Sequence, residues 1–314
     1  MRLAPLAAAL LPLAFSGCGA PQERSRLEDQ SRRVVPLPAC VFHLPARRAE
    51  SAGTMRRLRD TEIANLIFPS FDPEKRLLPK SAPVCTGESL LEAPELADGK
   101  PVRGGWPLAE KEEDLLYGSG GDRIKVVWLR ALVFGDGTVG GPLAIVRGTE
   151  RFAELYAAGP YRGHTDRVSL GTQRMGPELL VTAEDDGCTG RKPGEACENV
   201  MGVFLPRSGE LRRVVDVLAE RIAYAGQGER GAEGTLQYRL TSAPEYRDDG
   251  IHLVENVRIT DESGTELRVL ERERLFALSD KGTMASSDPP LWDTAVKLKF
   301  EKPDTPRARP PRRP

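Results

Sequence analysis

The sequence predicts a mainly β protein in which antiparallel sheets form a sandwich or a partly closed barrel, with one or two short helices. After Asp122 the chain consists of short apolar or alternating runs separated by turn residues such as GDG, PRSG and DESG, and such runs are typical of β-strands. Because few helical patterns separate these runs, antiparallel pairing is favoured. The pattern predicts eight strands, over 124–134, 143–147, 152–157, 179–183, 200–205, 236–241, 251–260 and 267–278.

The clearest helix is predicted over 54–68. Thr54 can cap its first turn, and apolar residues such as Leu58 and Ile63 keep roughly helical spacing until Pro69 ends the segment. The stretch that follows, up to Gly121, is rich in proline, glycine and charge, so we expect it to be mostly irregular.

A second segment, 210–224, fits two structures. Leu211, Val215 and Ile222 lie on one face of a helix, whereas the length and valine content of the segment also suit a strand. We favour the helix.

Composition excludes several classes of protein. The chain has 314 residues, enough for one large domain or two modest ones. Its 45 Lys and Arg residues nearly balance 46 Asp and Glu residues, for a formal net charge of -1, so a nucleic-acid partner is not expected. An apolar content of 39% and a charged content of 29% are close to globular averages, which argues against disorder in most of the chain.

The first 18 residues, MRLAPLAAALLPLAFSGC, have the layout of a secretory signal peptide. A single cation at Arg2 precedes an apolar run, and small residues follow that run. The run is shorter than a membrane-spanning helix requires and contains Pro5 and Pro12. We therefore expect residues 1–17 to be removed.

The end of this segment, Phe15-Ser16-Gly17-Cys18, resembles the lipobox of bacterial lipoproteins. The resemblance covers only the first 20 residues and departs from the family at Phe15, where leucine is usual. It implies that Cys18 is acylated, with palmitate as one expected chain, and becomes the mature N-terminus. Gly19 stands where an aspartate would signal inner-membrane retention, so the resemblance implies the outer membrane, with the protein facing the periplasm or the cell surface. An ordinary secreted protein cleaved near Ala20 is the alternative.

A multiply acylated cysteine would hold the protein to the membrane without any segment crossing it, because each buried CH₂ contributes about 0.8 kcal/mol.

The last thirteen residues, KPDTPRARPPRRP, cannot form a helix or a central strand. We expect five regions along the chain: a signal peptide (1–17), a lipidated tether (18–37), a mostly irregular segment with the short helix (38–121), a β-rich domain (122–301) and a disordered Pro/Arg tail (302–314).

Beyond Cys18, four cysteines remain, an even number in a chain predicted to enter an oxidising compartment. Cys188 and Cys197 enclose a short loop with turn-forming residues, so we expect them to form one disulfide. By elimination, Cys40 pairs with Cys85. The chain has no CxxC motif, and we expect no metal and no cofactor.

The best-defined turn is 261–265, DESGT, which predicts a β-hairpin with a three-residue loop and Gly264 in the left-handed conformation. This register pairs Val257 with Val269 and places apolar residues on one face.

The same register sets Glu255 opposite Glu271 and Leu253 opposite Glu273, which places three carboxylates on that face. Directly opposed like charges destabilise a sheet. Either nearby arginines such as Arg274 neutralise them in a salt-bridged belt, or one carboxyl has a raised pKa, the arrangement used in acid–base catalysis.

The chain lacks the common catalytic and nucleotide-binding motifs, including G-x-S-x-G, HExxH and the Walker loop. A calcium site at Asp185 and Asp186 lacks the ligand alternation of a calcium loop. We therefore expect an outer-membrane lipoprotein with a non-enzymatic binding or scaffolding role, whose partner is an envelope protein or glycan. The alternatives are a hydrolase that uses Glu255, Glu271 and Glu273, and a carrier of an apolar ligand in a curved sheet.

Overall fold

A computed structural model describes residues 41–43, 60–72, 74, 78, 81–102, 108–111, 123–148, 152–226 and 235–298. Within these residues the chain forms fifteen strands and two short α-helices, which confirms the predicted mainly β fold. The strands belong to one large mixed sheet that does not close into a barrel.

The strands are β1 (Val41–His43), β2 (Lys100–Pro101), β3 (Leu108–Lys111), β4 (Arg123–Leu129), β5 (Leu132–Val133), β6 (Thr138–Gly148), β7 (Phe152–His164), β8 (Val168–Met175), β9 (Glu178–Asp186), β10 (Cys197–Arg207), β11 (Glu210–Gly226), β12 (Thr235–Arg247), β13 (Gly250–Thr260), β14 (Glu266–Leu278) and β15 (Met284–Ala285). The helices are α1 (Asp60–Ile67) and α2 (Leu291–Ala295), and 3₁₀ turns occupy Leu90–Glu92 and Pro94–Leu96. All eight predicted strands are present. Helix α1 lies within the helix predicted over 54–68, whose first six residues are outside the described ranges.

The helix predicted over 210–224 is wrong, because this segment is strand β11. The strand pairs with β10 and with β12, so its backbone groups are satisfied by two neighbours. Two β-bulges explain the misleading pattern. Val214 and Ala219 have no partner in the register with β10, and each extra residue shifts the inward–outward alternation by one. The buried positions are then three or four residues apart, as in a helix.

The sheet has two halves. Strands β3, β4, β6 and β7 pair side by side, and β8 to β15 form a long antiparallel meander. The halves meet where β7 runs parallel to the start of β11, at the pair of Ala158 with Glu210. The Ala158 N–H donates a hydrogen bond to the Gly209 carbonyl at 3.0 Å.

Strands β9 and β10 form the middle layer of the body. Val181 and Phe204 face β4, β6 and β7 in a cluster that includes Trp128, whereas Leu180 and Leu205 face the opposite way. That second cluster continues to β13, β14 and β15. Burial on both faces explains the continuous apolar runs in these strands.

The described residues before Asp122 include few regular elements, and many of them are part of the core. Residues of α1 and of the 3₁₀ turns, such as Ile63, Leu91 and Leu96, share a buried cluster with Val127 and Ala144 of the sheet. This segment therefore covers the face of β4 and β6 that is turned away from the middle layer.

Helix α2 covers the other end of the sheet. Trp292 packs edge-on against Tyr238 with ring centroids 6.3 Å apart, and the Arg221 guanidinium lies 4.7 Å from the centre of the Trp292 ring. Leu240, Val257 and other apolar residues of β12 and β13 complete this cluster. The opposite side of β11 to β14 is consequently the exposed one. No helix in the described ranges is long and apolar enough to span a membrane.

The disulfide between Cys188 and Cys197 is confirmed, with Cα atoms 5.0 Å apart. Cys85 is also disulfide-bonded, but its predicted partner, Cys40, lies outside the described residues, so that pairing stays a prediction. Cys18 and the predicted signal peptide, tether and tail lie outside them as well.

Candidate functional site

The hairpin of β13 and β14 has the predicted turn but not the predicted register. The Asp261 N–H donates to the Thr265 carbonyl at 3.0 Å, and Gly264 has the expected positive φ of 80°. Thr260 then pairs with Glu266, but the next residue inward on β13, Ile259, pairs with Arg268 and not with Leu267. Leu267 is therefore an extra residue, a β-bulge that shifts the rest of β14 by one position.

This shift overturns the predicted pairing of carboxylates. Glu255 lies opposite Arg272, Glu271 lies opposite Asn256, and Glu273 lies opposite Val254. Because alternate residues point to opposite faces of a strand, Glu255 points toward α2 whereas Glu271 and Glu273 point to the exposed side. The structure thus does not form the carboxylate pair on which the hydrolase alternative depends.

Glu255 is the buried member of a salt-bridged belt. It is 2% exposed, and its carboxylate lies 3.0 Å from Arg274 Nη2 and 3.8 Å from Arg272 Nη2. The Leu291 backbone N–H donates to the same carboxylate at 3.0 Å. The two arginines also donate to backbone carbonyls of Pro289 and Asp288. The belt therefore fixes the chain before α2 onto the sheet, and Glu255 has no access to a substrate.

Glu273 belongs to a different cluster, at the end of the hairpin of β12 and β13. Its carboxylate lies 2.5 Å from His252 Nδ1, and the Asp249 carboxylate lies 2.9 Å from His252 Nε2. Arg247 Nη1 is 3.4 Å from Glu273. Hydrogen bonds to Asp249 and then to Glu273 raise the pKa of His252.

The two aspartates considered for calcium stabilise the protein's own backbone. Asp185 accepts from the His164 backbone N–H at 3.1 Å and contacts His164 Nδ1 at 2.9 Å. Asp186 accepts from the backbone N–H groups of Cys188 and Thr189, both at 2.9 Å, at the start of the disulfide loop. The described part of the chain contains no group of three His, Cys, Asp or Glu residues that could hold a metal ion.

The exposed side of β11 to β14, which we call the outer face, carries a groove of about 390 Å³. Its floor consists of three cross-strand pairs of β12 and β13: Gln237 with Thr260, Arg239 with Arg258, and Thr241 with Asn256. Alternate residues of a strand are about 6.6 Å apart, so the three pairs extend over about 13 Å. The groove therefore presents an arginine pair between two rows of neutral hydrogen-bonding side chains.

Among the described residues, each groove arginine has one carboxylate partner. Arg239 Nη2 lies 2.8 Å from Glu220 of β11, and Arg258 Nε lies 3.0 Å from Glu266 of β14. The strand order β11-β12-β13-β14 places the four charges in the order Glu, Arg, Arg, Glu across the sheet. Each glutamate lies diagonal to its arginine, since Glu220 is opposite Thr241 and Glu266 is opposite Thr260. The carboxylates thus flank the arginine pair from outside.

A second cavity, of about 290 Å³, lies between β8, β9, β10 and the end of β12. Its lining includes Gln173, Thr182, Glu184 and Tyr246. Burial, with a further contribution from Glu184, raises the pKa of Tyr246 to about 12, and its hydroxyl donates to Met201 Sδ at 3.8 Å. Both cavities are lined largely by polar groups, so neither supports the carrier of an apolar ligand.

The groove was not among the sites predicted from the sequence, although a signal was present. In LQYRLT and NVRIT, polar residues alternate with apolar ones, so Arg239 and Arg258 could have been assigned to exposed faces. Their cross-strand pairing required the register of two strands joined by a hairpin. Comparisons of the chain with family models, with curated proteins and with solved structures find no match.

Proposed function

We propose that the protein is an outer-membrane lipoprotein, anchored through acylated Cys18, that binds an envelope glycan and does not turn it over. The observation that carries the binding role is the groove on the outer face. Its hydroxyl, amide and guanidinium groups can form hydrogen bonds with sugar hydroxyls and acidic groups. The anchor rests on the lipobox resemblance alone.

A glycan suits the groove better than a protein does. Protein interfaces are centred on buried aromatic and large apolar anchors. The floor of the groove contains none, since its side chains are Gln237, Thr241, Asn256 and Thr260 around two arginines. Three exposed apolar residues of β14, at 44%, 41% and 37% exposure, lie outside the groove lining: Leu267, Val269 and Leu275.

A binding role also suits the chemistry of the groove better than hydrolysis does. Hydrolysis of a glycoside requires two carboxyl groups on opposite sides of the scissile bond. None of the described residues that line the groove is a carboxylate. Glu220 and Glu266 are each paired with an arginine and lie on the outer flanks of the arginine pair, and Glu271 lies at the rim opposite Asn256.

The test compares three full-length chains purified in detergent: the wild type, Thr241→Ala/Asn256→Ala, and Cys18→Ser. Polysaccharide isolated from the outer membrane of the organism is titrated into each chain and followed by calorimetry. We expect the groove variant to bind at least about fivefold more weakly, because two hydrogen-bonding side chains are lost at about 0.5–1.5 kcal/mol each. Cys18→Ser should bind like the wild type but leave the membrane fraction.

The matched control is Ser287→Ala/Thr294→Ala, which removes two exposed hydroxyl groups beside α2 on the opposite side of the sheet. It should bind like the wild type. Equal binding by the groove variant and the wild type, or binding by none of the chains, would contradict the glycan-binding role. Membrane retention of Cys18→Ser would contradict the anchor.

A further inference from the structure

We infer that the groove on the outer face recognises the acidic group of its ligand, a phosphate or carboxylate carried on a sugar, between Arg239 and Arg258. The inference rests on the proposed glycan-binding role and specifies the ligand class. Its basis is the position of the two arginines, which are a directly opposed cross-strand pair at the centre of the groove.

Opposed like charges on neighbouring strands are unfavourable. Here the flanking glutamates reduce the repulsion only from the outside, because Glu220 lies beyond Arg239 and Glu266 lies beyond Arg258 in the order of strands. No carboxylate among the described residues that line the groove lies between the two arginines. An anion between the two guanidinium groups completes an alternating series of charges.

The geometry of arginine suits this role. A guanidinium has five N–H donors in a planar fork that matches carboxylate and phosphate oxygens. The glutamate contacts involve Nε and Nη2 of Arg239 and Nε of Arg258. Further donors of each fork remain for a second anion. The side chains are 55% and 59% exposed, so a ligand reaches them from solvent.

The two neighbouring rows select the rest of the ligand. Gln237 and Thr260 lie on one side of the arginine pair, and Thr241 and Asn256 lie on the other. These four side chains carry hydrogen-bonding groups without adding charge, although Gln237 already donates to the Tyr224 hydroxyl at 3.1 Å and accepts from the Thr260 hydroxyl at 3.3 Å. Glu220, opposite Thr241, and Glu271, opposite Asn256, place two carboxylates at the other rim, which disfavours a ligand with a second acidic group on that side. The groove therefore fits a sugar chain with separated acidic groups rather than a densely charged polyanion.

The test uses the full-length chain in detergent with three probes: a galacturonic acid tetrasaccharide, glucose 1-phosphate, and a neutral galactose tetrasaccharide. We expect the two acidic probes to bind more tightly than the neutral one, and their affinity to fall with added salt. Arg239→Gln/Arg258→Gln should bind the acidic probes at least about tenfold more weakly, since two charge-assisted hydrogen-bonding groups are lost.

Two further variants test whether any loss of binding is specific to the groove or is a general effect of removing charge. Arg207→Gln/Arg212→Gln removes two arginines that also pair with glutamates, in the hairpin of β10 and β11 at the end of β11 that does not pair with β12, and should bind like the wild type. Glu220→Gln/Glu266→Gln frees the groove arginines and should tighten the binding of acidic probes severalfold. Thermal unfolding of each variant shows whether its fold is retained.

Three results would overturn the inference: equal binding of acidic and neutral probes, unchanged binding by the groove arginine variant, or an equal loss in the Arg207 and Arg212 variant. If the neutral tetrasaccharide binds as tightly as the acidic probes and Thr241→Ala/Asn256→Ala weakens its binding, the inference fails but the proposed glycan-binding role stands. If no probe and no envelope polysaccharide binds, both fail.

Discussion

Among single residues, the three glutamates of the β13–β14 hairpin have very different environments, although the sequence presents them as equivalent. Glu255 is buried between two arginines and the Leu291 N–H, whereas Glu271 is exposed and Glu273 binds His252. Of the two alternatives that the sequence left open, neutralisation by arginines describes Glu255. It could not indicate which glutamate is buried, because a register shift of one residue exchanges the two faces of a strand.

The burial of Glu255 leads to a prediction about stability. Glu255→Gln leaves Arg272 and Arg274 without their shared carboxylate, and removal of one partner from a buried ion pair costs about 3 kcal/mol or more. Glu271→Gln, at an exposed position on the same hairpin, should change the free energy of unfolding by about 0.5 kcal/mol at most. Urea unfolding followed by circular dichroism measures both. Equal unfolding midpoints for the two variants would show that the buried belt does not stabilise the fold.

His252 leads to a prediction about pH. Both ring nitrogens contact carboxylates, those of Asp249 and Glu273, and only the protonated ring donates to both. The pKa of His252 is accordingly raised. A folded-state pKa above the unfolded value of about 6.5 adds stability below that pH, and this stability is lost as the pH rises through the folded-state pKa.

We therefore expect His252→Gln to lower the melting temperature more at about pH 5.5 than at about pH 8.5. Melting temperatures of the wild type and the variant across this range measure the effect. Glu271→Gln is the control, since its exposed carboxylate has no ion-pair partner among the described residues, and its difference from the wild type should stay nearly constant. A constant difference for His252→Gln would contradict the prediction.

At the level of secondary structure, what could be predicted depends on whether a strand is regular. Turn residues and apolar runs located eight strands and the hairpin turn, because these signals are local. The bulges were not predictable. In β14, apolar residues occur at both odd and even positions. Leu267 and Val269 are at odd positions, and Leu270 and Phe276 are at even positions. Either register therefore places apolar side chains on the inner face, and only the packed structure selects Leu270 and Phe276.

Strand β11 shows the same limit more strongly. Its bulges at Val214 and Ala219 give a helical spacing to a segment that lies between two other strands. This segment is a strand because neighbouring strands supply its hydrogen-bond partners. The local sequence does not show where those neighbouring strands lie. The groove was missed for a related reason, since its arginine pair exists only when β12 and β13 are in register.

For the whole molecule, the middle layer decides whether the body unfolds as one unit. Phe204 belongs to the cluster with Trp128 and contacts Tyr161, with ring centroids 5.8 Å apart. Leu205, its immediate neighbour, belongs to the cluster that reaches β13 and β14. The β10 backbone therefore links the two cores, and loss of either core removes one side of the layer that supports the other.

We predict that Phe204→Ala and Leu205→Ala each destabilise the whole body in a single common transition, by about 2–5 kcal/mol. Both side chains are fully buried, so each change leaves a cavity in one core only. Urea unfolding followed by far-ultraviolet circular dichroism and by tryptophan fluorescence measures the effect, because Trp128 and Trp292 report on different clusters. The two signals should change together in both variants. If Phe204→Ala shifts only the fluorescence transition while the circular dichroism transition keeps its wild-type midpoint, the cores unfold separately and the middle layer does not couple them.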